Sequence, residues 1–212
     1  MAGSAGVHTT VTHEGSPLTI GVLALQGDFR EHLHVVSSLG EKAVTVRRAA
    51  ELDEIDGLII PGGESSVMDK LSRTFELAEP LKAAIASGLP VYGTCAGLIM
   101  LADRILDGMA GQQTLGGLDV SVRRNAFGSQ RDSFEEDLDV PVLDGEPVHA
   151  VFIRAPVVDE VGPLASPLGT LADGRVVAVE QGNLLGTSFH PEMTHDYRFH
   201  EYFVEKVRAR RA

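Results

Sequence analysis

The sequence predicts an α/β protein: a three-layer sandwich with a mostly parallel central sheet and further strands added in the second half. Three observations carry this expectation. Strand-like runs alternate with helix-period segments through the first hundred residues, the pattern of parallel strands joined by helices. The runs are continuously apolar, as strands buried on both faces read. The 212 residues, 43% hydrophobic and 23% charged, are enough to enclose one full core.

The elements follow in order. "LTIGVLALQG", 18–27, is an apolar run closed by glycine. Phe29, Leu33 and Val36 then recur at helical spacing, and Gly40 stands where a C-terminal cap belongs. "AVTVR", 43–47, is a second strand. "IDGLIIPGGESS", 55–66, is a third that runs into a Pro-Gly-Gly turn, with Ser65 or Ser66 opening the next helix. "ELAEPLKAAIASG" is a helix with a glycine stop, "LPVYGT" a fourth strand, and "CAGLIMLADRIL" a helix beginning at the cysteine. The second half is richer in strands: "LDVSVRRN", "PVHAVFIRAP", "RVVAVEQG" and "NLLGTSFHP". Residues 125–147 are rich in turn formers and read as a long loop or hairpin excursion, with "EEDLD" as a solvated face. From about His195 to Arg211, Phe199, Tyr202, Phe203 and Val207 form one helical stripe.

The formal charge of −12 disfavours nucleic acid and anionic membrane as partners. No apolar run reaches the roughly 18 residues of a membrane span. The polar segment 1–18 lacks the apolar stretch of a secretory signal and reads as a disordered arm or expression remnant. Residues 19–212 are then a single domain, expected in the cytoplasm.

The chain has one cysteine, so neither an internal disulfide nor a CxxC zinc or redox pair is available. A lone cysteine is often just a small buried hydrophobe. Here it sits in "GTCAG", 93–97, with a strand before and a helix after. That is the nucleophile elbow G-x-S-x-G with sulfur in place of oxygen. The turn is sharp, and the flanking glycines avoid steric collision. The helix N-terminus beneath the sulfur favours thiolate over thiol. The Ala96 N–H would point at a substrate carbonyl oxygen.

A cysteine nucleophile needs a base and a group that orients it. Of eight histidines, His190 ends an apolar run and is followed by Pro-Glu. Glu192 can therefore reach the far imidazole nitrogen and set the tautomer. "HPE" is also a common turn, so its weight comes from the elbow at the end of another strand. Catalytic residues of open α/β sheets gather at the carboxyl ends of strands. "PGGES", 61–65, ends a third strand. It is either a tight turn capping a helix or a glycine loop whose Gly63 N–H is a second oxyanion donor beside Ala96. The two glycines also let the 62–63 peptide turn over at little steric cost, so that donor can be swung in or out of the site.

"PGGES", "GTCAGL" and "SFHPE", in this order, resemble the Cys-His-Glu class I glutamine amidotransferases, whose layout is flavodoxin-like. "LALQGDFREH", "RNAFGSQRDSFE" and "FIRAP" resemble, more narrowly, the glutaminase subunits of bacterial pyridoxal 5′-phosphate synthases. The resemblance covers residues 19 to about 208; Ala126 stands where that family usually has serine. It implies hydrolysis of L-glutamine to L-glutamate and ammonia by Cys95, His190 and Glu192, with Gly63 and Ala96 as the oxyanion hole. It further implies substrate contacts from Gly62, Gly63, Glu64, Arg124, Ile153 and Arg154. A guanidinium at Arg124 suits the substrate carboxylate, and Glu64 its ammonium. Arg123 should face the other way, as strand neighbours do. No cofactor or metal is implied. The implied partner is a separate (β/α)₈-barrel synthase in a large hetero-oligomer that takes the ammonia, with 26–34, "QGDFREHLH", as a docking surface. A glutaminase serving another synthase, a non-catalytic protein of the same fold and a DJ-1-like cysteine hydrolase are the competing readings.

Overall fold

The computed structural model describes residues 16–124 and 133–211. Two helical layers enclose a ten-stranded sheet, and a two-stranded ribbon stands apart from it. The first half alternates as expected: β1 (Thr19–Leu23), α1 (Phe29–Ser38), β2 (Lys42–Val46), β3 (Gly57–Ile60), α2 (Ser65–Thr74), α3 (Ala78–Ala86), β4 (Val91–Thr94) and α4 (Ala96–Leu101). Gly40 (φ 83°) and Gly88 (φ 87°) follow the ends of α1 and α3 in the left-handed conformation that closes a helix. The second half adds β5 (Ala102–Ile105), β6 (Leu118–Arg123), β7 (Ser133–Leu138), β8 (Val148–Ile153), β9 (Val157–Val161), β10 (Ser166–Thr170), β11 (Val176–Gln181), β12 (Leu184–Thr187) and α5 (Arg198–Arg211).

The sheet runs β2-β1-β3-β4-β12-β11-β9-β6-β5, with β10 paired to β11. The block β2-β1-β3-β4-β12 is parallel throughout. Beyond β12 the pairing turns antiparallel until β5 rejoins β6 in parallel. Alternate residues of each central strand enter opposite cores. Leu58 and Ile60 pack with Met68, Leu81, Leu98 and Leu101 of α2, α3 and α4. Ile59 and Tyr92 pack with Val36 of α1 and Phe199, Phe203 and Val207 of α5. Helix α5 is clasped to the start of the fold by buried Glu41, which accepts from the Leu18 N–H (2.6 Å) and from Arg208 (2.5 Å). Leu18 is 1% exposed, so the packed structure reaches into the segment read as an arm; residues 1–15 lie outside the described residues.

Two sequence expectations change. The helix expected to continue through "ADRIL" stops at Leu101, and Ala102–Ile105 is a strand. Arg104 donates to Ser121 and Asp119, and Asp103 accepts from the Gly117 N–H. Edge pairing with β6 thus overrides the helical period. Strands β9 and β10 were not expected from the sequence; β9 carries two acidic residues and β10 contains Pro167, a residue tolerated on an edge strand. Of the two forms expected for the excursion at 125–147, the described part takes the hairpin: "SFEEDL" is strand β7 paired with β8, and Glu135 and Asp137 are exposed on it. Residues 125–132 of that excursion, including Ala126, lie outside the described residues.

The elbow depends on a close approach of three backbones. A Cβ at Gly93 would lie 2.5 Å from the Gly97 carbonyl group, and one at Gly97 would lie 2.0 Å from the Ile60 carbonyl oxygen. Both obstacles are backbone, so the strands themselves would have to move. Gly97→Ala is therefore expected to destabilise the fold by about 1–3 kcal/mol or more. Gly108→Ala, whose Cβ would meet the Ile105 side chain at 3.4 Å and Gln112 Oε1 at 3.7 Å, both ordinary contacts, should change stability by less than about 0.5 kcal/mol. Urea unfolding of the two variants checks this; equal midpoints would show that β3 and α4 can separate freely.

Candidate active site

Parallel register brings the site together. Ile60 pairs with Gly93, and Thr94 with Thr187. The chain therefore leaves β3 at Pro61-Gly62-Gly63, β4 at Cys95 and β12 toward His190, all at one end of three adjacent strands. The Cys95 N–H donates to the Thr187 carbonyl (2.7 Å), which ties the elbow to the histidine-bearing strand. Cys95 has φ 48° and ψ −103°. That region is costly for any residue with a Cβ, and it is held by buried neighbours on every side. His190 is fixed in turn by its N–H to the Val151 carbonyl of β8 (2.9 Å).

His190 Nδ1 donates to Glu192 Oε1 at 2.7 Å, which leaves the other ring nitrogen for Cys95, with which the imidazole is hydrogen-bonded. Burial alone would push the His190 pKa down. The hydrogen bonds to Cys95 and Glu192 outweigh it and raise the value to about 10. Burial pushes the Glu192 carboxyl up, and the His190 imidazole opposes that shift. The three groups form a sulfur–imidazole–carboxylate array sealed from solvent on the carboxylate side, where the Glu192 side chain is 0% exposed.

A cavity of about 370 Å³ opens over Cys95. Gly63, Glu64, Ala96, Arg124, Ile153, Arg154 and His190 line it. Gly62 does not; it backs the imidazole, and a Cβ there would lie 2.5 Å from His190 Cε1. Gly63 has φ 145°, and the Gly62 carbonyl accepts from the Asp28 N–H at 3.3 Å, so the peptide between the two glycines is held by the turn after β1. Arg124 is only 11% exposed and donates to Glu64 (2.8 Å) and Gln112 (3.0 Å). Arg123 points elsewhere, to Asp159 (3.1 Å). The same Glu64 oxygen that meets Arg124 caps α2 by accepting from Ser66 N–H and Oγ. Glu64 is thus committed to the helix and the arginine before any ammonium arrives. Arg154 sits at φ 44°, an unfavourable backbone for a residue with a Cβ.

The chain matches the SNO glutamine amidotransferase family over residues 22–209. It is a member of that family. Among relatives, pyridoxal 5′-phosphate synthase subunit PdxT of Leifsonia xyli subsp. xyli is 69% identical over 92% of this chain and 98% of its own. The same subunit of Clavibacter sepedonicus is 65% identical over 98% of this chain and 97% of its own. A solved glutamine amidotransferase superposes with a TM-score of 0.83 at 46% identity, covering 89% of this chain and 98% of that one. The structure of PurLQS from Thermotoga maritima, at 18% identity and TM-score 0.64, shares the fold; the alignment covers 91% of this chain and 96% of that one. The class I glutamine amidotransferase architecture expected from the sequence is the one observed.

In this amidotransferase the segment 26–34 is not simply an exposed docking face. Gln26 and Asp28 line the cavity, and His32 is fully buried. Gln26 Oε1 accepts from the Glu64 N–H at 2.8 Å. A glycine turn at the carboxyl end of the first strand was the available signal for this wall. Among the described residues, Asp28, His190 and Glu192 offer ligand atoms within 4.8 Å of one another. His190 Nδ1 already carries the Glu192 hydrogen bond, so a cation there would compete with it. No helix of the described residues is long and apolar enough to cross a membrane.

The raised His190 pKa has a measurable consequence. The stability it contributes is full below the ordinary value of 6.5 and is lost as pH rises towards about 10. By NMR, the His190 ring of the native protein should titrate near pH 10. In Cys95→Ala, which removes a hydrogen bond holding the imidazolium, it should titrate clearly lower. An unchanged titration would mean that the sulfur does not hold the proton.

Proposed function

We propose that this chain is the glutaminase half of a pyridoxal 5′-phosphate synthase, with Cys95 as nucleophile, His190 as general acid and base, and Glu192 as its orienting partner. The observation that carries the reading is a strained elbow cysteine hydrogen-bonded to a histidine whose other nitrogen is held by a buried carboxylate. The relatives that are pyridoxal 5′-phosphate synthase subunits supply the pathway.

The sulfur of Cys95 attacks the side-chain amide carbon of L-glutamine. The N–H groups of Ala96 and Gly63 receive the oxyanion. His190 gives its proton to the departing ammonia, leaving a thioester and a neutral imidazole. That imidazole takes a proton from water, which attacks the thioester; glutamate leaves and the thiolate–imidazolium pair is restored. Glu192 stabilises the imidazolium in both steps. Arg124 binds the substrate α-carboxylate, with Ile153 and Arg154 also lining the cavity. The ammonia passes to a (β/α)₈-barrel synthase subunit in a hetero-oligomer in the cytoplasm.

Cys95→Ala should abolish ammonia release from glutamine while leaving the fold and synthase binding intact; His190→Asn should do the same. Turnover by the alanine variant would sink this mechanism. Arg124→Ala should act differently, raising KM more than it lowers kcat, because a carboxylate clamp remote from the amide serves ground and transition states alike. Losing a charge-assisted hydrogen bond there should cost about ten- to a hundredfold in kcat/KM. Unchanged kinetics for Arg124→Ala, with a defect for Arg123→Ala instead, would reassign the carboxylate contact.

A further inference from the structure

We propose that His32 is a positioning residue for the reaction: its Nε2–H, bonded to Thr94 Oγ1, also faces the second oxygen of Glu192, and His200 sets the tautomer that makes this possible. The proposal rests on Glu192 acting as the partner of His190. It concerns a pair of buried histidines that the catalytic scheme does not use.

His32 on α1 and His200 on α5 are both 0% exposed. His32 Nδ1 lies 2.9 Å from His200 Nε2, so one ring must donate to the other. His32 Nε2 lies 3.1 Å from Thr94 Oγ1, one residue before the nucleophile, and 3.5 Å from Glu192 Oε2. Among the described residues, that carboxylate oxygen has no hydrogen-bond partner that meets ordinary donor geometry, and neither has His200 Nδ1. Burial keeps both imidazoles neutral: the His32 value falls well below the ordinary one through burial, His200 and His190, and the His200 value falls to about 3 through burial.

Two neutral rings allow two proton arrangements. In the first, His32 carries its proton on Nδ1 and donates to His200. His200 must then carry its own proton on Nδ1, an N–H buried without an acceptor. His32 Nε2 would also present a lone pair to the Glu192 carboxylate. In the second, His200 Nε2–H donates to His32 Nδ1, and His32 Nε2–H faces Thr94 Oγ1 and Glu192 Oε2. Only a lone pair on His200 Nδ1 is then left unmet, and an unmet acceptor is tolerated better than a buried orphan donor. The second arrangement also turns the His32 Nε2–H, whose closer partner is Thr94 Oγ1, toward Glu192 Oε2 at 3.5 Å. Both carboxylate oxygens then face N–H groups, Oε1 that of His190 and Oε2 that of His32, and the plane of the carboxylate is set from both sides.

The groups facing Glu192 are His190, Asp28 at the start of α1, His32, and Tyr92 of β4. Asp28 disfavours the carboxylate and His190 favours it. Tyr92 is pushed above its ordinary value first by burial and in part by Glu192, so it stays neutral. The His32 donor therefore acts with His190 to keep Glu192 ionised. Removing it should raise the carboxyl pKa further and move the acid limb of the rate profile to higher pH.

The experiment has two arms. In the native chain, ¹⁵N NMR of the ring nitrogens should show both histidines neutral and protonated on Nε2 across pH 6–8. A His32 protonated on Nδ1 overturns the proposal. In the second arm, glutamine hydrolysis is measured with saturating synthase. His32→Leu should lower kcat several-fold, to about tenfold at most, with little change in KM, from the loss of an N–H facing a charged carboxylate, and should shift the acid limb upward. His32→Gln, whose amide N–H can reach the same oxygen, should recover most of kcat and the native limb. Wild-type kcat and pH profile in folded His32→Leu would overturn the proposal. An inactive native complex would instead overturn the glutaminase reading, while the tautomer measurement still decides the histidine arrangement.

Discussion

The hydrogen-bonded register of β3, β4 and β12 is the constraint on which the site depends. Gly93 and Gly97 let the chain fold back on itself so closely that neither position has room for a Cβ, and the Ile60 carbonyl forms the third wall of the same contact. That approach drives Cys95 into a positive-φ conformation and lifts its side chain to the end of the sheet. The backbone bond from Cys95 to Thr187 sets the height of β12 against β4, and so places His190 beside the sulfur. A shift of one residue in this register would turn the elbow side chain to the other face of the sheet.

Electrostatics then follows from placement. Burial by itself would strip His190 of its proton, and the sulfur and the carboxylate reverse this. The same burial makes the carboxylate reluctant to ionise. The array works only because each charge has a partner within hydrogen-bond reach, which is the condition under which buried ion pairs are tolerated. Around the open side, Glu64 serves two purposes, capping α2 and pairing with Arg124. The arginine is thereby held in one orientation at the cavity wall.

The fold supplies this geometry by dividing labour between its halves. The parallel block carries the elbow and the glycine turn. The antiparallel half brings in β8, whose end supplies Ile153 and Arg154, and whose Val151 carbonyl fixes the histidine backbone. Helix α5 reaches back to cover the block and delivers His200 to its interior, next to Tyr92 with ring centroids 5.8 Å apart.

The sequence by itself determined the parallel half, the elbow and the Cys-His-Glu array, because each is written in local terms. Continuous apolar runs, flanking glycines and a two-residue His-to-Glu spacing need no knowledge of distant contacts. Only tertiary structure decided that "ADRI" is a strand, since its pairing with β6 outweighs a local helical period. Only tertiary structure turned part of "QGDFREHLH" inward, while Arg30, Glu31 and His34 stay exposed. Its polar residues look exposed in sequence, yet Gln26 meets the Glu64 N–H and His32 meets His200, 168 positions away. Local patterning reports which side chains prefer water. It does not report which of them find a hydrogen-bond partner inside, and a buried polar group is stable only when a partner elsewhere in the chain arrives to meet it.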